Sequence, residues 1–394
     1  MFGWPEVAPV YCDYAATTPV DSEVAAAMHA SLVAHEAFAN PSSTTHRYGR
    51  AASEAVDAAT EIVARALGAR GEQILWTSGA TEADNLAILG AARYSGKGRG
   101  HIISSTIEHK AVLDPVKELE RDGFEVTWLA PDRDGRISVD QLRTALREDT
   151  LLVSLMWVNN ELGTINDVAG YAEVLTDHEA IFHVDAAQAF GKVPVRGLPS
   201  RVDMASFTGH KFYGPKGVGV LYLGSRSGVN ISPLLFGGGQ QRGLRPGTLA
   251  THQIVGFATA AELAMDRLER DYERLSGLGE QLVEGLLSTD GVSINGPREG
   301  RLPWLVNVRV ERVHGDALMR GLSPVAVSAG SACNSRDRSP SFVLKALGLS
   351  DLEAAASLRF SLGRSTSGED VDAVLRHFRG VVERCRALAG PLVT

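Results

Sequence analysis

Cysteine is scarce in this chain, with three in 394 residues, at positions 12, 333 and 385. An odd, widely spaced set makes neither a disulfide framework nor a CxxC zinc or redox pair, and it fits a reducing compartment. Positive charge is missing from the start of the chain, where the first basic residue is Arg47. Neither the charged end of a secretory signal nor an arginine-rich presequence is present, so a cytoplasmic protein is expected. The longest apolar stretches, such as 151–158, fall far short of the roughly 20 residues a membrane span needs. There is no excess of basic charge: 39 Lys and Arg against 47 Asp and Glu give a net charge of -8. That balance supplies no broad pull toward nucleic acid or an anionic membrane. Internal repeats and low-complexity tracts are lacking.

What is present is an ordinary globular composition, 44% hydrophobic and 22% charged. Such a length buries a large core without staples. Helical periodicity over 53–67, 81–92 and 111–121 alternates with apolar strand runs over 73–77, 101–105, 150–158 and 180–185. This alternation predicts βαβ units, a mostly parallel sheet and an α/β fold. Strands over 202–207 and 218–223 flank a Gly-rich loop. A long helix is expected over 248–288, broken around Gly277 and Gly279, and a domain boundary near residue 262. Shorter elements follow: strands over 305–310, 324–328 and 357–362, and helices over 316–322 and 340–347. A capping box at Thr366-Ser367-Gly368-Glu369 opens the last helix.

In parallel sheets, ligands bind beyond the carboxyl ends of the strands, so the loops there hold the candidates. Lys211 lies in Ser206-Phe207-Thr208-Gly209-His210-Lys211, directly after a strand. Such a lysine is most often a solvated surface residue, yet Thr208, His210 and the glycines beside it suit a phosphate, and its amine suits a Schiff base. Asp185 ends another strand, where it suits either a helix N-cap over 186–190 or a protonated pyridine nitrogen. Thr77-Ser78-Gly79-Ala80-Thr81-Glu82 runs from a strand into a helix start, a place for a phosphate. His109 follows the strand over 101–105, placed to cover an aromatic ring. Cys333 sits among small residues in Ser328-Ala329-Gly330-Ser331-Ala332-Cys333-Asn334-Ser335. Alone, it is more often a buried, inert thiol; in a loose loop it is a reachable one.

These segments closely resemble the pyridoxal-phosphate-dependent cysteine desulfurases. The resemblance runs through Tyr14-Ala15-Ala16-Thr17-Thr18-Pro19, Glu108-His109-Lys110-Ala111-Val112, His183-Val184-Asp185-Ala186-Ala187-Gln188 and Ser206 to Lys211. It continues through Tyr213-Gly214-Pro215-Lys216-Gly217, Gly237 to Thr248 and Arg359-Phe360-Ser361-Leu362-Gly363-Arg364. It implies a fold-type I homodimer with a large cofactor domain (15–262) and a smaller α/β domain (1–14 and 263–394) that carries a mobile cysteine loop at about 328–340. It implies that Lys211 carries pyridoxal 5'-phosphate, that Asp185 pairs with the ring nitrogen and Gln188 with the ring hydroxyl, and that His109 stacks on the ring. Ala80, Thr81, Thr208 and His210 would hold the phosphate, with Thr248 reaching it from the partner subunit. Asn160 and Arg359 would bind the substrate, the guanidinium forking onto its carboxylate. No metal is implied. Gly330-Ser331-Ala332-Cys333 is similar to the branch with a long, mobile loop. Pro246 and Thr208 stand where serines are usual in better-known members.

The implied reaction converts L-cysteine to L-alanine and passes its sulfur, as a persulfide on Cys333, to an acceptor protein. His109 is a further candidate for acid or base catalysis. A selenocysteine lyase or a related aminotransferase would share the cofactor site without needing a mobile thiol, and a non-catalytic sulfur-transfer adaptor would not need Lys211, Asp185, His109 and Arg359 together. Cys12 and Cys385 are expected to be structural. The chain ends at Thr394, where housekeeping members carry a further tail that engages an iron–sulfur scaffold. A specialised pathway is expected on that ground, with DNA phosphorothioation one candidate beside iron–sulfur assembly, tRNA thiolation and thiocofactor synthesis.

Overall fold

Short, mostly apolar runs such as Thr150–Met156 make the buried strands. The computed structural model describes residues 9–33, 37–96, 98–329 and 340–389. Its strands are β1 (Val10–Tyr11), β2 (Ile74–Thr77), β3 (His101–Ser105), β4 (Glu125–Leu129), β5 (Thr150–Met156), β6 (Ile181–Asp185), β7 (Met204–Thr208), β8 (Gly219–Leu223), β9 (Val292–Asn295), β10 (Leu305–Val310), β11 (Val325–Ala326) and β12 (Ser357–Ser361). Its helices are α1 (Ser22–Val33), α2 (Arg47–Leu67), α3 (Ala80–Ser95), α4 (Lys110–Arg121), α5 (Val139–Ala145), α6 (Val168–Val174), α7 (Thr251–Leu287), α8 (Gly315–Gly321), α9 (Phe342–Ala346), α10 (Asp351–Ala355) and α11 (Gly368–Ala389).

Seven strands form one sheet in the order β2-β8-β7-β6-β5-β3-β4. β3, β4, β5, β6 and β7 pair in parallel, and β8 alone runs antiparallel to its neighbours β7 and β2. The carboxyl ends of β2, β3, β5, β6 and β7 therefore share one edge. A strand buried on both faces needs apolar cover on both. α3 and α4 cover one face through Ala83, Leu86, Ala87, Val112 and Val116. The other face packs on α2 and α7 and on an aromatic group under the Lys211 turn. There Phe190 stacks on Phe212 at 4.6 Å, and Phe257 meets Phe212 edge-on at 5.0 Å. An antiparallel sheet, β12-β10-β9, and the parallel pair β1-β11 complete the strands.

The mostly parallel α/β fold expected from the sequence is present, with three local corrections. α7 is unbroken from Thr251 to Leu287. Gly279 does not end it; it lets the helix lie against the Pro303 backbone, where a Cβ would collide, while Gly277 faces open space. The capping box of α11 sits one residue later than expected. Ser367 Oγ accepts from Asp370 N (3.1 Å), and Asp370 Oδ2 accepts from Ser367 N (2.8 Å). Thr366 instead holds Gly363 N. The strand expected over 324–328 shortens to β11 plus a single bridge between Ser328 and Arg359. β4 escaped the apolar pattern because it is an edge strand, exposed at Glu125 and only partly covered through Trp128.

The two α7 glycines predict opposite outcomes. Gly277→Ala, in an exposed helix interior, should stabilise the protein by about 0.5–1 kcal/mol. Gly279→Ala should destabilise it by about 1–3 kcal/mol through overpacking on the Pro303 carbonyl. Thermal denaturation of the two variants reads both signs.

Candidate active site

The shared carboxyl edge opens into a cavity of ≈ 390 Å³, within the range of cofactor and small-molecule sites. Much of its wall comes from strand ends, with Ala15, Ala16, Thr17 and Arg359 added from elsewhere. After β2, Gly79 caps α3, and Ala80 and Thr81 form its first turn on the cavity wall. Free N–H groups and the positive end of the helix dipole at such a terminus favour a phosphate. Thr208, the last residue of β7, lines the cavity beside them, and His210 and Lys211 follow in a 3-10 turn. His210 Nδ1 lies 3.1 Å from Thr17 Oγ1. Burial, helped by the Lys211, Lys216 and Lys192 charges, lowers the His210 pKa to about 4. Its ring is neutral at pH 7.

The Lys211 amine donates to the carbonyls of Ala15 (2.6 Å) and Ala16 (2.8 Å). The turn carrying it is clamped by the same segment, since Thr18 N donates to His210 O (2.9 Å) and Tyr213 N to Thr18 Oγ1 (2.8 Å). Tyr213 takes a left-handed φ of 69°, rare for a large side chain. Its ring is held under the Arg364 guanidinium, 4.1 Å away.

Asp185 ends β6 and lines the cavity, 6% exposed. The helix it was expected to cap is absent; 187–192 is a run of turns, and Asp185 Oδ1 accepts from Ala187 N at 2.9 Å. Burial raises its pKa, and His109 and Lys211 oppose that rise. His109 caps α4, and its Nδ1 accepts from Ala111 N at 3.1 Å. In the neutral ring the proton therefore sits on Nε2. Gln188 Nε2 donates to Ala15 O at 2.8 Å, and Gln188 Oε1 accepts from Lys192 Nζ.

Arg359, on β12, is 1% exposed. Its Nη1 donates to Asn160 O (2.8 Å), and its Nη2 pairs with Asp13 Oδ1 (2.6 Å). Its Nε is buried without a partner among the described residues, which leaves donors for a carboxylate fork. Asn160 lines the cavity in a turn held by Asn159, whose Oδ1 accepts from Glu161 N and Leu162 N.

Beneath Asp185 lies a buried polar layer. Asp84, on α3, is 0% exposed, and neither carboxyl oxygen has a hydrogen-bond partner among the described residues. Burial and the nearby Asp185 charge hold its carboxyl well above the usual range. His183 lies between Ser154 Oγ and Ser206 Oγ, 2.9 Å from each, and burial lowers its pKa to about 3. Burial also pushes Glu108 up to about 8. Glu108 keeps its proton at neutral pH, and His183 goes without one.

Ten of the twelve residues expected at the site line this cavity. Thr248 does not; it is exposed and stands apart from the wall. Cys333 lies outside the described residues. On either side of its segment, Ser328 pairs with the Arg359 backbone and Ser341 Oγ donates to Glu161 Oε2. Cys12 and Cys385 are buried, and burial raises both thiols, Cys12 to about 12, which suits inert residues. The sequence reading missed Asp13, Asp84, Glu108 and Lys192. Lys192 left a faint signal, four residues beyond Gln188. Asp13 and Asp84 carried none, because the groups they meet are distant in sequence, and Glu108, bonded to Ser105 three residues before it, shows its burial only in the fold.

The donor set fits pyridoxal phosphate. A buried carboxylate with one backbone hydrogen bond suits a protonated pyridine nitrogen. The α3 terminus with Thr208 and His210 suits the phosphate, and Lys211 suits the carbonyl carbon. Fold and site thus define a pyridoxal-phosphate-dependent enzyme. The family model for class-V aminotransferases matches residues 10–374. The cysteine desulfurase IscS of Photobacterium profundum is 46% identical over 97% of this chain and 94% of its own length. A solved NifS-like protein superposes with a TM-score of 0.88 at 37% identity, covering 95% of this chain and all of that one. SspA, solved in complex with cysteine, does so with a TM-score of 0.79 at 39% identity, covering 90% and 99%. The chain belongs to the class-V aminotransferase family, among its pyridoxal-phosphate-dependent cysteine desulfurases.

The buried acid at Glu108 predicts a pH dependence. Its folded pKa is raised to about 8, so its contribution to stability is complete below the unfolded value of about 4.3 and is lost as pH rises toward 8. Glu108→Gln removes that loss. In thermal melts of the cofactor-free protein, the variant's stability relative to wild type should rise between pH 4 and 8 and level off above. A difference independent of pH would contradict a raised Glu108 pKa.

Proposed function

We propose that this cysteine desulfurase takes sulfur from L-cysteine onto Cys333 and hands it, as a persulfide, to an acceptor protein. The observation that carries the reading is the convergence of Lys211, Asp185, His109 and Arg359 on one cavity. Bound pyridoxal phosphate supplies an electron sink for the pair left when an amino acid loses its Cα proton. Lys211 attaches the cofactor and, once displaced by substrate, serves as the base at Cα. Arg359 binds the substrate carboxylate, with Asn160 beside it. His109, with its proton on Nε2, stands at the cavity wall to exchange a proton with the substrate thiol. The Cys333 thiolate attacks the substrate sulfur: an S–S bond forms, the Cβ–S bond breaks, and its electron pair stays with the carbon skeleton. Protonation then gives alanine, and no external oxidant is needed. Serine could not replace Cys333, because only sulfur carries sulfur.

Support for Cys333 comes from its tethers. Ser328 and Ser341 are fixed beside Arg359 and Glu161. The ten residues between 329 and 340 span at most about 35 Å, ample reach to the cavity mouth. Reach also favours Cys333 over the buried Cys12 and Cys385. A homodimer is supported by the exposed Thr248, available to another subunit, and by Phe236, which is 85% exposed twelve residues before it. A division at residue 262 is supported by the pairing of β1 with β11, which ties the N-terminal residues to the later part of the chain. No helix among the described residues is long and apolar enough to cross a membrane, and the cytoplasm is the compartment proposed.

The purified protein should be yellow, and borohydride should fix the cofactor on Lys211. Cys333→Ala should stay yellow but lose alanine formation from L-cysteine; full activity would sink the relay. Arg359→Lys, which removes the fork, should raise the KM for L-cysteine about tenfold or more while leaving the cofactor spectrum unchanged.

A further inference from the structure

Lys192 has no part in the reaction as derived, yet it is an amine set against the cofactor cavity. Its described hydrogen-bond partner is Gln188 Oε1. Lys192 and Lys211 both line a second, smaller cavity, with Tyr14, Tyr213 and Asp271. The charges acting on it are Lys211, from the turn after β7, and Arg359, from β12. No carboxylate is among its described partners, so its contact with the Gln188 amide carries the weight.

An amide side chain has two unlike ends, one accepting and one donating. The two described partners of Gln188 discriminate between them. Ala15 O can only accept, and it takes Gln188 Nε2–H at 2.8 Å. Lys192 donates to Oε1; even without its charge it keeps two N–H groups. Each partner alone sets the same orientation, and together they leave one Nε2 hydrogen for a further acceptor. The Ala15 carbonyl is shared, since the Lys211 amine also donates to it. It is therefore the weaker of the two locks while both donors compete for one oxygen.

We propose that Lys192 is a positioning residue: it fixes Gln188 so that an N–H, and not the carbonyl, meets the ring oxygen of the cofactor. This rests on the cofactor reading above. A donor held to that oxygen satisfies the negative charge it bears after the nitrogen linking Lys211 to the cofactor has lost its proton. The linkage then gives up its proton at lower pH. Neighbouring groups that titrate or carry charge are Glu82, Asp84, Asp185, His109, His210, Lys211, Lys216 and Arg359 at the cavity, and Tyr14, Tyr213, Asp271 and Tyr272 on the other side.

The test is a pH titration of the absorbance of the loaded protein, with no substrate. Lys192→Met should raise the spectral midpoint by about one pH unit, a tenfold change in the equilibrium. Gln188→Ala should raise it similarly, and Lys192→Met added to Gln188→Ala should shift it no further. Lys192→Arg, which keeps the donors, should restore the wild-type midpoint. An unchanged midpoint in Lys192→Met overturns the proposal. So does an equal shift in the Gln188→Ala background, which would make Lys192 a direct charge on the ring. Cofactor uptake by wild type separates the two levels. If wild type takes up none, the reading of the cavity fails and this inference with it. If it loads and titrates as Lys192→Met does, only the inference fails.

Discussion

One buried carboxyl, Asp185, organises this site. To pair with a protonated ring, Asp185 would have to ionise at the end of a strand with almost no water around it, and an isolated carboxylate there is costly. The surrounding residues meet that demand by giving up their own charge. Burial raises the Asp84 carboxyl, Glu108 holds its proton, and His183 and His210 go without. What remains are cations on the cavity side, Lys211 and Arg359, and the position left for a protonated ring. The polar layer of Ser154, His183 and Ser206 under Asp185 is neutral throughout, so it orients without competing.

The N-terminal segment is the second organising element. Asp13 holds the Arg359 guanidinium, Ala15 O takes Lys211 and Gln188, Thr17 meets His210, and Thr18 clamps the turn between His210 and Tyr213. This one short stretch thus touches Lys211, Arg359 and His210, the residues proposed to attach the cofactor, bind the substrate carboxylate and hold the phosphate. The strand just before it, β1, pairs with β11, close to the start of the segment that carries Cys333. The proposed substrate site and the described residue before the Cys333 segment are thus linked through Arg359, whose backbone bonds Ser328.

Much of this was legible in the residues themselves. The strand over 101–105 and the one over 305–310 emerge at the bounds their apolar runs suggest, because buried strands carry a dense local signal. β4 did not, because one face meets solvent. The break expected at Gly277 and Gly279 failed for a different reason. Glycine weakens a helix locally, but Gly279 is used for close approach to Pro303, a contact no local pattern reports. At the site, strand-end position located Lys211, Asp185 and His109. Asp84 looked like an unremarkable helix residue until α3 was laid over β6 and β7.

The sequence by itself determined the alternation of strands and helices, the edge on which a ligand sits and the resemblance that names its cofactor, because these depend on residue type and short spacing. Only the tertiary structure decided which carboxyls and imidazoles burial shifts, which groups hold Gln188 and what holds Arg359. Each of these turns on groups far apart in the chain, Asp13 with Arg359 or Asp84 with His183, brought together inside a medium that penalises every unpaired charge. Dielectric and proximity are properties of the folded volume, and no run of residues contains them.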